Sequence, residues 1–469
     1  MPAASSRVVI VGGGPGGYEA ALVAAQLGAG VTLVDSDGVG GSAVLTDCVP
    51  SKTLIATAEV MTDVEGAAEL GVELADHSAG RAGSRPTVRV DLARVNDRVK
   101  RLAADQSDDI TRRLEKEGVT VVRGRGRLDG ADTVVATTQE GEQRLSADAV
   151  LVATGAAPRT LPEAQPDGER ILTWEQVYDL TDLPEHLVVV GSGVTGAEFA
   201  SAYLALGAEV TLVSSRDRVL PGEDADAAGV LEEVLTRRGM NVLAQSRMQS
   251  VARDRDSVTV TLTDGRTVNG SHCILAVGSV PNTGDLGLDS AGVDTDEGGF
   301  VTVDRVSRTS ARGVYAAGDC TGILMLASVA AMQGRIAMWH FLGDAVSPLD
   351  LKQVSSNVFT APEIATVGWS QRAVDRGEIQ VRQVTLPLAG NARAKMQGVR
   401  DGFVKLFCRP GTGIVVGGVV VAPRASELIH PVSIAIAESL TADQLAQAFT
   451  VYPSMSGSVA EAARRLHRV

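Results

Sequence analysis

The chain has few cysteines, few aromatic residues and no long apolar run. Its 469 residues include only four cysteines, Cys48, Cys273, Cys320 and Cys408, whose spacing matches neither a disulfide framework nor a metal site. Such usage is typical of a reducing cytoplasm. Aromatic residues make up 3% of the sequence, so a core drawn from its 44% of hydrophobic residues must be mostly aliphatic. No apolar run is long enough for a membrane span, and no signal peptide is expected.

Positive charge is also scarce. The sequence contains 43 Lys and Arg against 57 Asp and Glu, which gives a formal net charge of -14. An acidic surface of this kind disfavours binding to nucleic acid and to anionic membranes. The length indicates about three domains.

What the sequence does contain is one unit used twice. Residues 8–35 read VVIVGGGPGGYEAALVAAQLGAGVTLVD and residues 187–214 read LVVVGSGVTGAEFASAYLALGAEVTLVS, at a constant offset of 179 residues. Each copy has an apolar strand, a Gly-rich turn, an Ala-rich helix and a second apolar strand. The repeat predicts two βαβ units and therefore an α/β fold with two Rossmann-like dinucleotide-binding domains.

Weaker signals predict how the two domains are arranged along the chain. Residues 151–155 with Pro158 resemble residues 275–278 with Pro281, and each segment is typical of a strand leaving such a domain. A further strand and turn at 314–319 follows the second copy, so we expect the second domain to interrupt the first.

The remaining segments give three more predictions. Residues 73–90 predict a loop, and residues 92–117 predict a charged amphipathic helix that Gly118 ends. From about residue 352 the pattern changes to short β segments and helices, which indicates a third domain of the α+β type.

The first Gly-rich turn has the features of a pyrophosphate site. Gly12 permits a tight turn, Gly14 lets the backbone approach the phosphates, and Gly17 lets helix and strand pack closely. Asp35 ends the next strand, where its carboxylate can accept hydrogen bonds from ribose. A lone turn of this type is often only structural, but here strand, helix, acid and a second copy occur together.

The second copy keeps the three glycines and loses the acid. Ser214 stands where the first copy has Asp35, so no carboxylate repels a 2′-phosphate there. Arg216 and Arg218 follow closely and suit a phosphate by charge and geometry, although both can equally be plain surface charges. We therefore predict NADPH, or NADH, as the second nucleotide. The glycines of this turn are Gly191, Gly193 and Gly196.

Together these motifs resemble the flavoprotein disulfide reductase family, and dihydrolipoamide dehydrogenase in particular, over nearly the whole length. The resemblance assigns the first turn to FAD, the second to NAD(P), and Gly318-Asp319 to the flavin ribityl chain. The other matching segments are Gly40-Gly41, Pro50-Ser51-Lys52, Thr360–Glu363 with Val367-Gly368, and Pro453 with Ser456.

The resemblance implies a complete domain plan. It implies an FAD-binding and central domain at 1–165 and 290–351, an NAD(P)-binding domain at 166–289, and a C-terminal interface domain at 352–469 that forms a homodimer, possibly within a higher oligomer. It implies that Lys52 pairs with Glu198 beside flavin N5, where a cation stabilises negative charge on the reduced flavin. The alternative for Lys52 is a helix-surface lysine. Further cofactor-binding residues implied are Pro15, Gly16, Gly41, Ser42, Thr154, Gly155, Gly278 and Asp319.

The residues for disulfide chemistry are missing. Ala43 occupies the first of the two family cysteine positions and Cys48 the second, so no second thiol can resolve a mixed disulfide. The family's catalytic His-Pro is Tyr452-Pro453 here, and the Glu that orients the histidine is Gly457. Tyrosine, with a pKa of about 10 against about 6.5 for histidine, is a donor and not a base at neutral pH.

These losses leave the hydride-accepting half intact and change the acceptor. A quinone takes two electrons directly from reduced flavin, and the chain also resembles NAD(P)H quinone reductases first labelled lipoamide dehydrogenases. We therefore predict a cytoplasmic NAD(P)H:quinone oxidoreductase without a metal. Its site is lined by Ala43, Cys48 and a partner's Tyr452. Three alternatives stay open: a pyridine nucleotide transhydrogenase, a single-cysteine NAD(P)H oxidase or peroxidase that uses Cys48, and a flavin-binding sensor without turnover.

Overall fold

The computed structural model of the protein describes residues 6–72 and 88–467. The chain divides into two compact units. Among the described residues, the first consists of 6–51, 97–159 and 278–350, and the second of 52–72, 88–96, 160–277 and 351–467.

The described residues form the following strands and α-helices in chain order. The strands are β1 Arg7–Val11, β2 Gly30–Asp35, β3 Thr120–Arg123, β4 Arg125–Leu128, β5 Thr133–Thr138, β6 Gly141–Ser146, β7 Ala149–Val152, β8 Ala156–Pro158, β9 Ile171–Thr173, β10 His186–Val190, β11 Glu209–Val213, β12 Asn241–Leu243, β13 Met248–Asp254, β14 Ser257–Leu262, β15 Thr267–Gly270, β16 His272–Leu275, β17 Ser279–Pro281, β18 Val314–Ala316, β19 Ser355–Val358, β20 Glu363–Gly368, β21 Arg382–Pro387, β22 Phe403–Cys408 and β23 Val415–Ala422. The α-helices are α1 Pro15–Gln26, α2 Gly41–Leu45, α3 Cys48–Gly66, α4 Leu92–Lys116, α5 Val194–Leu206, α6 Ala225–Arg237, α7 Leu288–Ala291, α8 Ala327–Leu342, α9 Gln371–Asp375, α10 Ala392–Met396, α11 Ala425–Leu428, α12 His430–Ala437, α13 Ala442–Gln447 and α14 Gly457–Leu466.

The first unit is built on a five-stranded parallel sheet in the order β18-β7-β1-β2-β3. Four of the five residues of β1 and all four of β7 are buried, as the continuous apolar runs of a sheet covered on both faces require. The predicted βαβ unit is present as β1-α1-β2. The predicted return of the chain is also present, because β18 comes from residues beyond the second repeat and completes this sheet.

The second unit contains two large sheets. A parallel sheet in the order β12-β11-β10-β16-β9 carries the second βαβ unit, β10-α5-β11. An antiparallel sheet in the order β19-β20-β23-β22-β21 belongs to the C-terminal part, where helices α12 and α14 pack on it around a buried aliphatic core. This confirms the α/β fold and the change to α+β structure near residue 352.

The two similar segments that end at Pro158 and Pro281 pair with each other. Strand β8 lies antiparallel to β17, with Ala157 opposite Val280. Just before β8, Thr154 Oγ1 donates to the carbonyl of Asn282 at 2.7 Å, and the Asn282 amide donates back to the Thr154 carbonyl at 3.0 Å. Strands β8 and β17, at the ends of the two similar segments, therefore pair with each other. The sequence did not predict this pairing.

Local predictions have mixed outcomes. Helix α4 runs over Leu92–Lys116, one residue shorter than predicted, and Gly118 after it has a positive φ of 81°. The loop predicted at 73–90 lies outside the described residues over 73–87. The domain limits at 165, 289 and 351 stay a prediction. None of the helices within 6–72 and 88–467 combines the length and apolar character that a membrane span requires.

A buried ion pair joins the antiparallel sheet to the start of α6. Lys405 on β22 places Nζ 2.8 Å from Asp224 Oδ2 and 2.7 Å from Asp226 Oδ2. The side chains of Lys405 and Asp224 are only 1% and 3% exposed. Asp224 is also the N-cap of α6 and accepts the backbone N–H groups of Asp226 and Ala227.

Replacing Lys405 with methionine should lower the free energy of unfolding by about 3–5 kcal/mol, because the Asp224 carboxylate is left buried without its cation. Urea unfolding of the FAD-loaded protein measures this loss. The double variant Lys405→Met, Asp224→Asn should recover part of it, since asparagine still caps the helix. Equal unfolding midpoints for Lys405→Met and the parent would contradict the argument.

Candidate active site

The first Gly-rich turn is a cradle that side chains cannot enter. A Cβ added to Gly12, whose φ is 104°, would lie 2.3 Å from the Ala153 carbonyl oxygen, and one added to Gly17 would lie 1.9 Å from the Gly12 carbonyl oxygen. Facing this turn, Gly41 approaches so closely that its Cβ would lie 2.8 Å from Gly14 Cα. Gly12, Gly14 and Gly17 have no side chains, so the backbone at the N-terminus of α1 leaves room for a bound pyrophosphate.

The Asp35 side chain holds the backbone of this turn in place through hydrogen bonds. Its carboxylate accepts the backbone N–H groups of Gly13 at 2.6 Å, Asp37 at 3.0 Å and Gly38 at 2.6 Å. A carboxylate offers about four acceptor positions, so one remains for a ribose hydroxyl. The predicted contact between Asp35 and ribose therefore has room, and stays a prediction.

The second turn repeats the geometry of the first. A Cβ on Gly191 would lie 2.1 Å from the Ala276 carbonyl oxygen, and one on Gly196 would lie 1.9 Å from the Gly191 carbonyl oxygen. Gly193 has open space around its Cβ position and precedes α5 as its N-cap. The two copies thus hold equivalent backbone, each ready for a dinucleotide.

The two copies differ at two positions that are hydrogen-bonded to each other. Gly13 and Asp35 of the first copy become Ser192 and Ser214 in the second, and the two serine hydroxyls lie 2.7 Å apart. Ser214 is fully buried, and its hydroxyl group carries no charge. The second copy therefore has no carboxylate at this position, and contact between Ser214 and the cofactor stays a prediction.

The two arginines of the second copy lie in different environments. Arg216 is exposed, as a phosphate-binding role requires. Arg218 is partly buried, with Nε shielded from solvent, and lines a cavity that also contains Glu223 and Trp369. Binding of a 2′-phosphate by these arginines stays a prediction.

Asp319 carries a partly buried carboxyl group just after strand β18 of the first sheet. It follows Gly318, whose N–H donates to the buried Gln333 Oε1 at 2.9 Å. Burial, with a smaller contribution from the nearby Asp47 charge, raises the pKa of Asp319 from 3.8 to about 6. A carboxyl group held at this cost to stability is typical of a functional position, here the predicted partner of the flavin ribityl chain.

The pKa of Asp319 predicts a pH effect on the FAD-free protein. Because the folded pKa exceeds the unfolded one, the folded state holds the extra proton, and this stabilisation is lost as pH rises from about 4 to about 6. Asp319→Asn should therefore raise the stability of FAD-free protein at pH 7 by on the order of 2 kcal/mol, and by nothing near pH 4. Thermal unfolding at both pH values measures it, and parallel pH curves for variant and parent would contradict it.

Lys52 and Glu198 form the ion pair that the resemblance implies. Lys52 Nζ lies 2.9 Å from Glu198 Oε2, with the lysine side chain 30% and the glutamate side chain 5% exposed. Glu198 Oε1 accepts the Phe359 backbone N–H at 2.8 Å, and Lys52 Nζ lies 4.8 Å from the centre of the Phe359 ring. The glutamate is fixed at both oxygens, so it holds the ammonium group in one place.

The thiols are arranged against disulfide exchange. Cys48 is the first residue of α3, and Ala43 lies on the preceding short helix α2. Cys273, Cys320 and Cys408 are buried. Burial raises the pKa of Cys273 to about 12 and that of Cys320 to about 11, so neither forms a thiolate near neutral pH.

Tyr452 lies at the surface of the C-terminal part of the chain. It is 85% exposed, and the neighbouring Phe449 is fully exposed. Gly457 is the first residue of α14, and its N–H donates to Ser454 Oγ at 3.1 Å. No carboxylate stands at this position to orient a residue at 452.

The other predicted cofactor residues lie near the first Gly-rich turn or just before the short strands β8 and β17. Pro15 and Gly16 begin α1, and Ser42 is an exposed residue of α2. Thr154 donates to Asn282 as described above. Gly155 and Gly278 have positive φ values of 68° and 97°.

Three residues of the site escaped sequence reasoning. Ser192 had a signal, because the repeat aligns it with Gly13, next to a changed acid position. Phe359, which fixes Glu198 through its N–H, comes immediately before Thr360 of a matching motif but contributes backbone, which sequence does not reveal. Gln333 lies in the middle of helix α8, where nothing distinguishes it from a packing residue.

Comparison with known proteins identifies the family of this chain. Residues 6–334 match the family model for pyridine nucleotide-disulphide oxidoreductase, and residues 354–463 match the dimerisation domain of the same family. The chain is 55% identical over 98% of its length to a Mycobacterium tuberculosis protein named NAD(P)H dehydrogenase (quinone), of which it covers 94%. It is 34% identical to the dihydrolipoyl dehydrogenase of Chlorobaculum parvum, over 97% of this chain and 96% of that protein.

A solved structure agrees as well. The crystal structure of LpdA from Mycobacterium tuberculosis superposes with a TM-score of 0.93 at 55% identity and covers 99% of this chain and 100% of that one. The fold and the two glycine cradles thus define a flavoprotein that uses FAD and NAD(P)H. The chain belongs to the pyridine nucleotide-disulphide oxidoreductase family.

Proposed function

We propose that this chain is an FAD-dependent NAD(P)H:quinone oxidoreductase that works by a ping-pong relay without any thiol step. The observation that carries the proposal is the missing second thiol. Ala43 occupies its position, and three of the four cysteines are buried. The relative named NAD(P)H dehydrogenase (quinone), which is 55% identical over nearly the whole chain, supports it.

The ion pair supplies the electrostatics of the reaction. When bound, FAD takes two electrons from NAD(P)H and gives them to a quinone. Lys52 provides a fixed positive charge that favours negative charge on the reduced cofactor. Glu198 acts through Lys52, since its two oxygens are occupied by the ammonium group and by the Phe359 N–H.

The acceptor side uses different residues from a disulfide reductase. The match to a dimerisation domain supports a homodimer, and we propose that the partner's Tyr452 contributes to the quinone site. The phenol group of a tyrosine can donate a hydrogen bond to a quinone oxygen. The few, mostly buried cysteines support a cytoplasmic location.

Steady-state kinetics of purified protein test this function. NADH and NADPH should each be compared as donors with a panel of quinones, lipoamide, hydrogen peroxide and an NAD+ analogue as acceptors. We expect a quinone to give the highest kcat/KM and lipoamide to give none. If the NAD+ analogue wins, the chain is a transhydrogenase, and if no acceptor turns over, it is a sensor; either result overturns the proposal.

Cys48→Ser separates the quinone reductase from a single-cysteine oxidase or peroxidase. Serine keeps the size of the side chain and removes the sulfur that such an oxidase oxidises and reduces. A quinone reductase should therefore keep most of its quinone kcat in this variant. Loss of turnover with every acceptor, in protein that still holds FAD, would favour the oxidase or peroxidase.

A further inference from the structure

A cavity of about 480 Å³ lies within the second unit. Its wall combines the segment before helix α6 with strands β20 and β23 of the antiparallel sheet and the start of α9. This volume lies within the range of small-molecule sites.

Two buried polar atoms in this cavity have no hydrogen-bond partner among the described residues. They are Arg218 Nε and Gln371 Oε1, although the Gln371 amide nitrogen donates to Asp375 at 2.9 Å. A buried polar group without a partner is costly and rare in folded proteins. One donor and one acceptor are therefore available in the same cavity.

Glu223 adds a third group without a partner. Its side chain forms no hydrogen bond or ion pair within the part of the chain that the structure describes, and burial together with the nearby Asp224 charge raises the pKa of Glu223. Asp224, which also lines the cavity, is instead neutralised by Lys405. The cavity thus holds an arginine and a glutamate that do not pair with each other.

The cavity also has apolar lining residues, beside the polar Thr366, Ser370, Arg372 and Asp375. Trp369 lines it with Val354, Val367 and Val419. Lys352 Nζ lies 4.0 Å from the centre of the Trp369 ring. An apolar group of moderate size is therefore expected in a molecule that fills the cavity.

We propose that this cavity binds a free α-amino acid with an apolar side chain. The ligand's carboxylate pairs with Arg218, its ammonium group with Glu223 and Gln371 Oε1, and its side chain packs against Trp369 and the valines. A simple anion leaves Glu223 without a partner, and a simple cation leaves Arg218 without one. A zwitterion satisfies both.

Calorimetric titration of the FAD-loaded protein with L-phenylalanine tests the proposal. L-phenylalaninamide lacks the carboxylate and N-acetyl-L-phenylalanine lacks the ammonium group, so each should bind at least about tenfold more weakly than phenylalanine. Absence of heat with phenylalanine would overturn the proposal, and so would equal affinity for the three compounds.

Variants then assign the binding to this cavity. Arg218→Gln and Glu223→Gln should each weaken phenylalanine binding at least about tenfold, whereas Arg216→Gln, an exposed arginine two residues away, should bind as the parent does. Retained FAD absorbance shows that each variant is folded, and if Arg218→Gln fails to fold, Glu223→Gln carries the test. Unchanged affinity in the folded variants would overturn the proposal.

Discussion

Gly196→Ala should give a yellow, FAD-loaded protein that NAD(P)H no longer reduces. The new Cβ would lie 1.9 Å from the Gly191 carbonyl oxygen, so the first turn of α5 must move away from strand β10. This shift removes the backbone N–H groups from the position that a pyrophosphate needs. Anaerobic mixing with NADPH, followed by flavin absorbance, measures the loss, and reduction by dithionite shows that the flavin itself remains reducible.

The first copy provides the matched control for this experiment. Gly17→Ala places a Cβ 1.9 Å from the Gly12 carbonyl oxygen, the same clash at the other cradle. This variant should lose FAD on purification and still bind NADPH. Gly229→Ala, in helix α6 with open space around it, should behave as the parent. If Gly196→Ala lost FAD and Gly17→Ala kept it, the two cofactors would be assigned to the wrong copies.

The sequence predicted those parts of the fold that depend on local patterns. Both βαβ units were visible because an apolar strand, a Gly-rich turn and an Ala-rich helix recur at one offset. The antiparallel pairing of β8 with β17 was not visible, because each strand has only three residues and their partnership depends on contacts distant in the chain. Periodicity cannot report such a contact.

For the site, the sequence predicted residue types better than side-chain directions. The loss of the acid at Ser214 was read correctly, but its burial against Ser192 follows from packing that only the structure contains. Arg218 shows the same limit, since its spacing suited a phosphate but could not show that the residue lines a cavity. The Lys52–Glu198 pair joins residues 146 positions apart and was expected only through the family resemblance.

Lys52→Met should slow the reduction of bound FAD by NAD(P)H about 100-fold or more. Removal of one preorganised charge or donor at a reacting group typically has this effect, and methionine keeps the length of the side chain without the cation. The quinone reaction should slow as well if flavin reduction limits turnover. Stopped-flow absorbance of the flavin under anaerobic conditions measures the rate directly.

Two further variants separate charge from packing in this prediction. Lys52→Arg keeps the cation and should retain most of the rate, provided that arginine still reaches Glu198. The double variant Lys52→Met, Glu198→Gln removes the carboxylate that the single variant leaves buried, so it should regain thermal stability without regaining rate. A structural lysine would give the opposite pattern, because rate would then recover together with stability. Reduction of Lys52→Met at close to the parent rate would remove Lys52 from the mechanism.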